Sequence, residues 1–308
     1  MNILVPLTIT SAMIGAGTTI AEPDVAGGEV AWNAATNYTV GTVAIRTTTH
    51  RKYRNAIPGV DAGLPESTPA RWLDIGPTNR YAPFDIYTNT ATTGTTSFTY
   101  VLSPGFFNAL SFYGLVGSTL TVTIKDTPGG TVLYTSTTDL FVPAAGLYEY
   151  LFSPLRQISR VVLKALPISP TAELTVTVSS GTGNPVALGM LNIGNLRSLI
   201  ASGLFGGTEY GASAEPKSYS YIKYFDDGTT QIVRRGATTD MRGNVFMPAG
   251  DATAAVDLVQ SVLDVPVSCI ATDAAGYDYL NVFGLVSGSA EASGPTHANF
   301  SYSVKGFI

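Results

Sequence analysis

Apolar and polar positions alternate with period two through the middle of the chain. The segments Ser97–Leu102 (Ser-Phe-Thr-Tyr-Val-Leu), Thr119–Lys125 and Glu173–Ser179 each set Leu, Val, Ile or an aromatic against Thr or Ser at every other place. That pattern predicts strands with one buried and one wet face. Asp126-Thr-Pro-Gly129-Gly130 reads as a hairpin turn into Val132-Leu-Tyr134, and residues 143–146 (Pro-Ala-Ala-Gly) as another turn. Residues 148–152 and 158–164 read as further strands. About eight strands at roughly ten-residue spacing predict a sandwich or jelly roll.

The flanks read differently. Residues 3–10 (Ile-Leu-Val-Pro-Leu-Thr-Ile-Thr) predict an N-terminal strand. With no Lys or Arg before them and Pro6 inside the run, they do not read as a signal peptide, which sets the expectation of synthesis and assembly in a host cytoplasm. Towards the C-terminus, residues 219–224, 231–235 and 244–247 read as short strands, the first two joined by a turn at Phe225-Asp-Asp-Gly228. Residues 251–263 predict a helix capped by Asp251, with Ala255, Leu258, Val259, Val262 and Leu263 on one face and Pro266 marking its end. Three compositional blocks follow: 1–81, a small β module; 82–180, a jelly-roll sandwich; and 181–308, an α+β domain. The fold class expected is mainly β.

Composition narrows the function classes. Charged residues make up 13% of the chain, and its formal charge is −5. That is well below the roughly 25% charged residues of ordinary soluble domains. There is no Lys/Arg run, so the electrostatic footprint of a nucleic-acid binder is missing. No apolar stretch approaches the ~20 residues of a membrane helix. Cys269 is the single cysteine, set in the apolar run Val265-Pro-Val-Ser-Cys-Ile270, and reads as a buried small hydrophobe.

Candidate chemistry is sparse. His50 and His297 are the two histidines, too few with one cysteine for a zinc set; His50 reads as a solvated turn residue. Gly284-Leu-Val-Ser-Gly288 has its serine one place too late for a nucleophile elbow. Asp61, Glu66, Asp126, Asp226 and Asp227 lie in turn-like segments, where turn chemistry accounts for them. The expectation is no catalytic residue, no metal and no cofactor. A glycan-degrading activity would require two acids converging in a cleft.

The first block carries Val30-Ala-Trp32, Tyr38, Val40-Gly-Thr-Val43, Arg51-Lys-Tyr53-Arg-Asn55, Gly63-Leu-Pro65 and Ala70-Arg-Trp72-Leu73. This order resembles the small chitin-binding-type modules of chitinases, which are three-stranded sheets with an aromatic core. Thr42 stands where such modules carry an acid. The resemblance implies two roles for Trp32, Tyr38, Tyr53 and Trp72: core rings, or rings stacked on a glycan.

Directly after it comes Trp72-Leu-Asp-Ile-Gly-Pro-Thr-Asn-Arg-Tyr81-Ala-Pro-Phe-Asp85. This segment, with Gly206-Gly-Thr-Glu-Tyr-Gly-Ala-Ser213 and Arg234-Arg-Gly236 further on, is similar to tail-tip and baseplate proteins of tailed bacteriophages. The resemblance implies a structural, non-enzymatic component of a virion tail. It would pack against other tail proteins, as a homo-oligomer in a symmetric assembly, and contact host surface glycans. The alternative is a carbohydrate-binding adhesin module without catalysis.

Overall fold

In the computed structural model the described residues are 1–144, 146–154, 156–200, 205–272, 274 and 276–307. The protein is mainly β, and its strands pair antiparallel. It packs as two units: residues 7–193, and Met1–Pro6 together with Gly194–Ile308.

The alternating segments of the first unit form the expected strands. Ser97–Leu102, Thr119–Lys125, Val132–Asp139 and Glu173–Ser179 make a four-stranded sheet, with Thr119–Lys125 between Val132–Asp139 and Glu173–Ser179. Its inner face buries Phe98, Tyr100, Leu102, Leu120, Val122, Ile124, Leu174, Val176 and Val178. Leu110 and Phe112, from the strand Ala109–Tyr113, belong to the same core. Its outer face carries hydroxyl pairs across neighbouring strands: Thr121 with Thr137, Thr123 with Thr135, and Thr99 with Thr177. Alternation thus reports directly on burial, because successive side chains in a strand point to opposite faces.

A separate three-stranded sheet, Val43–Arg46, Arg51–Asn55 and Trp72–Pro77, forms within the first block. Tyr38, Ala44, Tyr53 and Trp72 make its core, with Trp32 packed against them.

Two expectations in this unit are corrected. Residues 148–152 were expected as a strand, but Leu147–Phe152 is a short helix. A run of aromatic and aliphatic residues this short carries no decisive period. The strand expected at 158–164 is confined to Arg160–Leu163. The turn expected at 143–146 includes Ala145, which lies outside the described residues.

In the second unit the strands run in the order residues 194–198, Asn2–Pro6, Val267–Ile270, Asn281–Ala292, His297–Gly306, Ala237–Pro248. Ser213–Ser218 and Gly207–Thr208 both pair with Ala237–Pro248. The N-terminal strand ends at Pro6, short of the predicted 3–10. The predicted helix is Ala249–Gln260 and packs on this sheet. Its N-cap is Pro248, so Asp251 is a buried residue of the first turn rather than the cap. Ala255, Val259 and Val262 are buried as expected, whereas Leu263 is 45% exposed, beyond the helix end. Tyr221–Tyr224 and Thr230–Val233 form a separate two-stranded hairpin, closed by the turn expected at Phe225–Gly228.

Candidate functional site

The structure gathers the four predicted aromatics into one cluster. Tyr38 meets Trp72 edge to face, with ring centroids 4.9 Å apart. The Tyr38 hydroxyl accepts from the Asn33 N–H at 2.7 Å, and Trp72 Nε1 donates to Asp61 at 3.2 Å. Tyr53 is 4% exposed, with its hydroxyl 3.2 Å from Thr49 Oγ1. Stacking on a sugar needs an open ring face, and Tyr38, Tyr53 and Trp72 present none. Trp32 is half-buried, and the Arg46 guanidinium lies 5.0 Å from its ring centre. These rings hold the small sheet together, as expected where three short strands have little other apolar material.

The Thr-Asn-Arg-Tyr segment is tied to three acids. Asn79 N–H donates to Glu29 at 2.7 Å, and its side-chain amide donates to Asp24 at 2.5 Å and to the Thr93 carbonyl at 2.9 Å. Its side-chain carbonyl accepts from the Thr93 N–H at 2.9 Å. Thr78 Oγ1 donates to Glu22 at 2.8 Å, and the other Glu22 oxygen lies 2.8 Å from His50 Nδ1. His50 also stacks on Tyr81 at 3.7 Å, so it is not the solvated turn residue expected. Thr92 donates to the Asn79 carbonyl and pairs with the Tyr100 hydroxyl at 2.8 Å. The segment is thereby connected to the core of the four-stranded sheet through Tyr100.

Beside this network lies a cleft of about 690 Å³. A β-bulge makes one wall. Along the pairing of Arg51–Asn55 with Trp72–Pro77, Lys52 faces Gly76 and Tyr53 faces Asp74, leaving Ile75 as the extra residue. Gly76 has φ +126, a backbone region that favours glycine. Asp74 Oδ1 accepts from the Gly76 N–H at 3.0 Å, and Oδ2 accepts from Arg51 Nε at 2.5 Å. The other wall is the turn after Phe84. Asp85 accepts from the Tyr87 N–H at 2.9 Å and from Thr90 Oγ1 at 2.8 and 2.9 Å. Partial burial holds the Asp85 carboxyl above the usual carboxylate range, against the lowering effect of the Thr90, Tyr87 and Arg51 interactions. Ile86 and Tyr87 are exposed and complete the cleft with Asn89.

Sequence reasoning missed this cleft. Arg51, Asp74, Asp85 and Tyr87 meet only through a bulge and a turn, although Gly76 and Asp85 both lie in the segment that carries the phage resemblance. Among the described residues no group of three or more His, Cys, Asp or Glu could hold a metal ion, and no helix is long and apolar enough to cross a membrane. Cys269 is fully buried, and burial pushes its thiol pKa up.

Two exposed apolar features complete the picture. On the first unit, the helix Leu147–Phe152 exposes Leu147, Tyr148, Leu151 and Phe152, the last at 72%. On the second, the hairpin exposes Tyr221, Ile222, Tyr224, Phe225 and Ile232, with Tyr224 at 74%.

Compared with family models, with curated proteins and with solved structures, the chain matches none.

Proposed function

We propose that the chain is a non-enzymatic structural component of a tailed-phage tail tip or baseplate, resident in the virion tail and assembled in the host cytoplasm. In this reading the small aromatic sheet, a jelly-roll-like sandwich and the C-terminal α+β unit form a scaffold packed against other tail proteins in a symmetric array. The observation that carries it is the pair of exposed apolar features, one on each unit. Contiguous exposed apolar surface on a soluble chain marks a site that another protein covers. The low charge and the resemblance of the Thr-Asn-Arg-Tyr segment point the same way. Cryo-electron microscopy of particles carrying the chain, with mass spectrometry of purified virions, tests it. The expected result is a ring of copies at the tail end; absence of the chain from purified virions overturns the reading.

The cleft favours a second reading, a carbohydrate-binding module without catalysis. The exposed Tyr87 ring offers an apolar face, and Arg51, Asp74, Asp85 and Asn89 offer planar donors and acceptors for sugar hydroxyls. Both acids are engaged by neighbouring donors, which suits recognition better than proton transfer. Affinity for a bacterial glycan that falls on Tyr87→Ala supports this reading. No binding across a broad glycan panel removes it.

A further inference from the structure

The hairpin Tyr221–Tyr224/Thr230–Val233 extends the pairing of Ser213–Ser218 with Ala237–Pro248 into a two-stranded ribbon. Lys217 faces Thr238 and Ser218 faces Ala237, the Tyr219 N–H donates to the Gly236 carbonyl at 3.1 Å, and Tyr221 faces Val233. One face of this ribbon sets cations on rings. Alternate residues of a strand share a face, so Tyr221 and Lys223 lie together, with Gln231 opposite Lys223. The Arg235 guanidinium sits 4.9 Å from the Tyr221 ring centre, and Lys223 Nζ sits 4.9 Å from that of Phe225. Further back along the ribbon, Lys217 Nζ lies 5.8 Å from the ring centre of Tyr219. Ile222, Tyr224 and Ile232 are turned to the opposite face and take no part.

The cations of this face are short of carboxylates. Residues 217–235 carry four basic and two acidic side chains in a chain whose formal charge is −5. Among the described residues neither Lys223 nor Arg235 is in a salt bridge, while Lys217 lies 3.7 Å from Asp240. The two acids, Asp226 and Asp227, belong to the turn at the tip, where Asp227 accepts from the Thr229 N–H and hydroxyl. A cation resting on a ring keeps its N–H donors and is held in place, so it loses less freedom when an anion arrives. Arg235 and Lys223 are held over rings four positions apart, which is on the order of 10 Å along a strand. That separation is too long for both to close on one phosphate or carboxylate, and it suits successive charges of an extended polymer. Tyr221 and Phe225, 47% and 41% exposed, add ring surface, and Gln231 adds an amide.

We propose that this face binds an acidic polysaccharide, with carboxylates of the chain on Lys223 and Arg235 and pyranose C–H faces against the open parts of Tyr221 and Phe225. Charge complementarity selects an anionic partner, and the rings select one that brings apolar surface along with its charge. A nucleic acid calls for a denser basic patch than two free cations. A bilayer takes up an apolar face, which here is the other side of the ribbon. The inference goes beyond both readings above and rests on neither, since the ribbon belongs to the second unit and the cleft to the first.

Calorimetric titration of the full chain at low salt tests it. The acidic probes are oligomers of polygalacturonate and of hyaluronate; dextran, a single-stranded oligonucleotide and phosphatidylserine vesicles are the alternatives. The expected result is binding to an acidic glycan, none to dextran, and weakening with added salt. Lys223→Gln with Arg235→Gln lowers that affinity roughly tenfold or more. Footprinting of the wild-type chain guards against a variant that loses its fold. Acetylation of Lys223 falls when the glycan is bound, whereas that of Lys125 in the first unit, bonded to Glu173 at 2.8 Å, is unchanged. No binding to either acidic glycan overturns the proposal, as does tighter binding to the oligonucleotide or the vesicles. Binding indifferent to the double variant, with Lys223 unprotected, also overturns it; if that binding falls on Tyr87→Ala, the glycan belongs to the cleft and the second reading stands. A chain absent from virions removes the assembly reading and leaves the ribbon untouched.

Discussion

Asn79 donates its side-chain amide to the Asp24 carboxylate at 2.5 Å across 55 positions of sequence, while its backbone N–H binds Glu29. Asn79 is buried, and it joins the half-buried Asp24 to the buried Glu29, which also accepts from the Asp24 N–H at 2.9 Å. Asn79→Ala leaves the Asp24 oxygen and the Thr93 backbone groups without this partner at partly buried positions. The expected cost is about 1–3 kcal/mol, from hydrogen bonds lost at partly desolvated groups. Asn79→Asp is expected to cost at least as much near neutral pH, because it puts a third carboxylate beside Asp24 and Glu29, and to recover in acid. Urea titrations of both variants at neutral and acid pH check this. An Ala variant as stable as wild type would show the network to be incidental.

The aromatic cluster makes a different prediction for Tyr53. An exposed stacking ring is removed at little cost to stability, whereas a buried one is not. Tyr53→Ala is expected to lose roughly 3–5 kcal/mol, as for other large core rings, and Trp72→Ala a similar amount. Tyr53→Phe keeps the ring and loses only the contact to Thr49 Oγ1, for about 1 kcal/mol. Thermal melts of the three variants decide it. A Tyr53→Ala protein that melts with wild type would return this ring to the surface.

What the sequence disclosed follows from how each feature is built. The Thr/Leu/Val alternation of 119–125 and 173–179 was readable because burial on one face of a sheet imposes period two directly. Tyr38, Tyr53 and Trp72 were recognisable as a group from their spacing, but whether Tyr53 points in or out depends on pairing and on the Ile75 bulge, which no local pattern announces. The helix 147–152 shows no readable period because Leu147, Tyr148, Leu151 and Phe152 are exposed and follow no buried stripe. The cleft was invisible for a related reason. Arg51, Asp74 and Asp85 are 23 and 11 positions apart in sequence and are brought together by a bulge on one strand and an aspartate turn on another segment. Asn79 stood in a recognised segment, yet nothing in that segment names Asp24 or Glu29 as its partners.

Cys269 lies within the strand Val267–Ile270, fully buried, with its thiol pushed well above the usual thiol range by burial. The nucleophilic form of a thiol is the thiolate. Native protein is therefore expected to be inert to a thiol-specific reagent at mildly alkaline pH, and to react at a rate that tracks opening of the second unit. Labelling across a urea series should follow the unfolding transition of that unit. Rapid labelling in buffer alone would show that the strand opens locally.

Asp85 gives the pH test. Its folded-state pKa is raised, chiefly by burial, so the folded protein holds this proton more tightly than the unfolded chain does. The contribution to stability is complete below the ordinary carboxylate range and is lost as pH rises through the raised folded value. Above that value the folded state carries a partly buried charge. Asp85→Asn removes the charge, while its side-chain carbonyl can still accept from Thr90 and the Tyr87 N–H. The variant is therefore expected to match wild type in acid, to gain on it as pH rises through the window between the ordinary and the raised values, and to hold a constant advantage above. Urea midpoints of both proteins across that range measure the difference. A difference independent of pH, or one that favours wild type more as pH rises, would show that the hydrogen bonds from Thr90 and Tyr87 outweigh burial at this carboxyl.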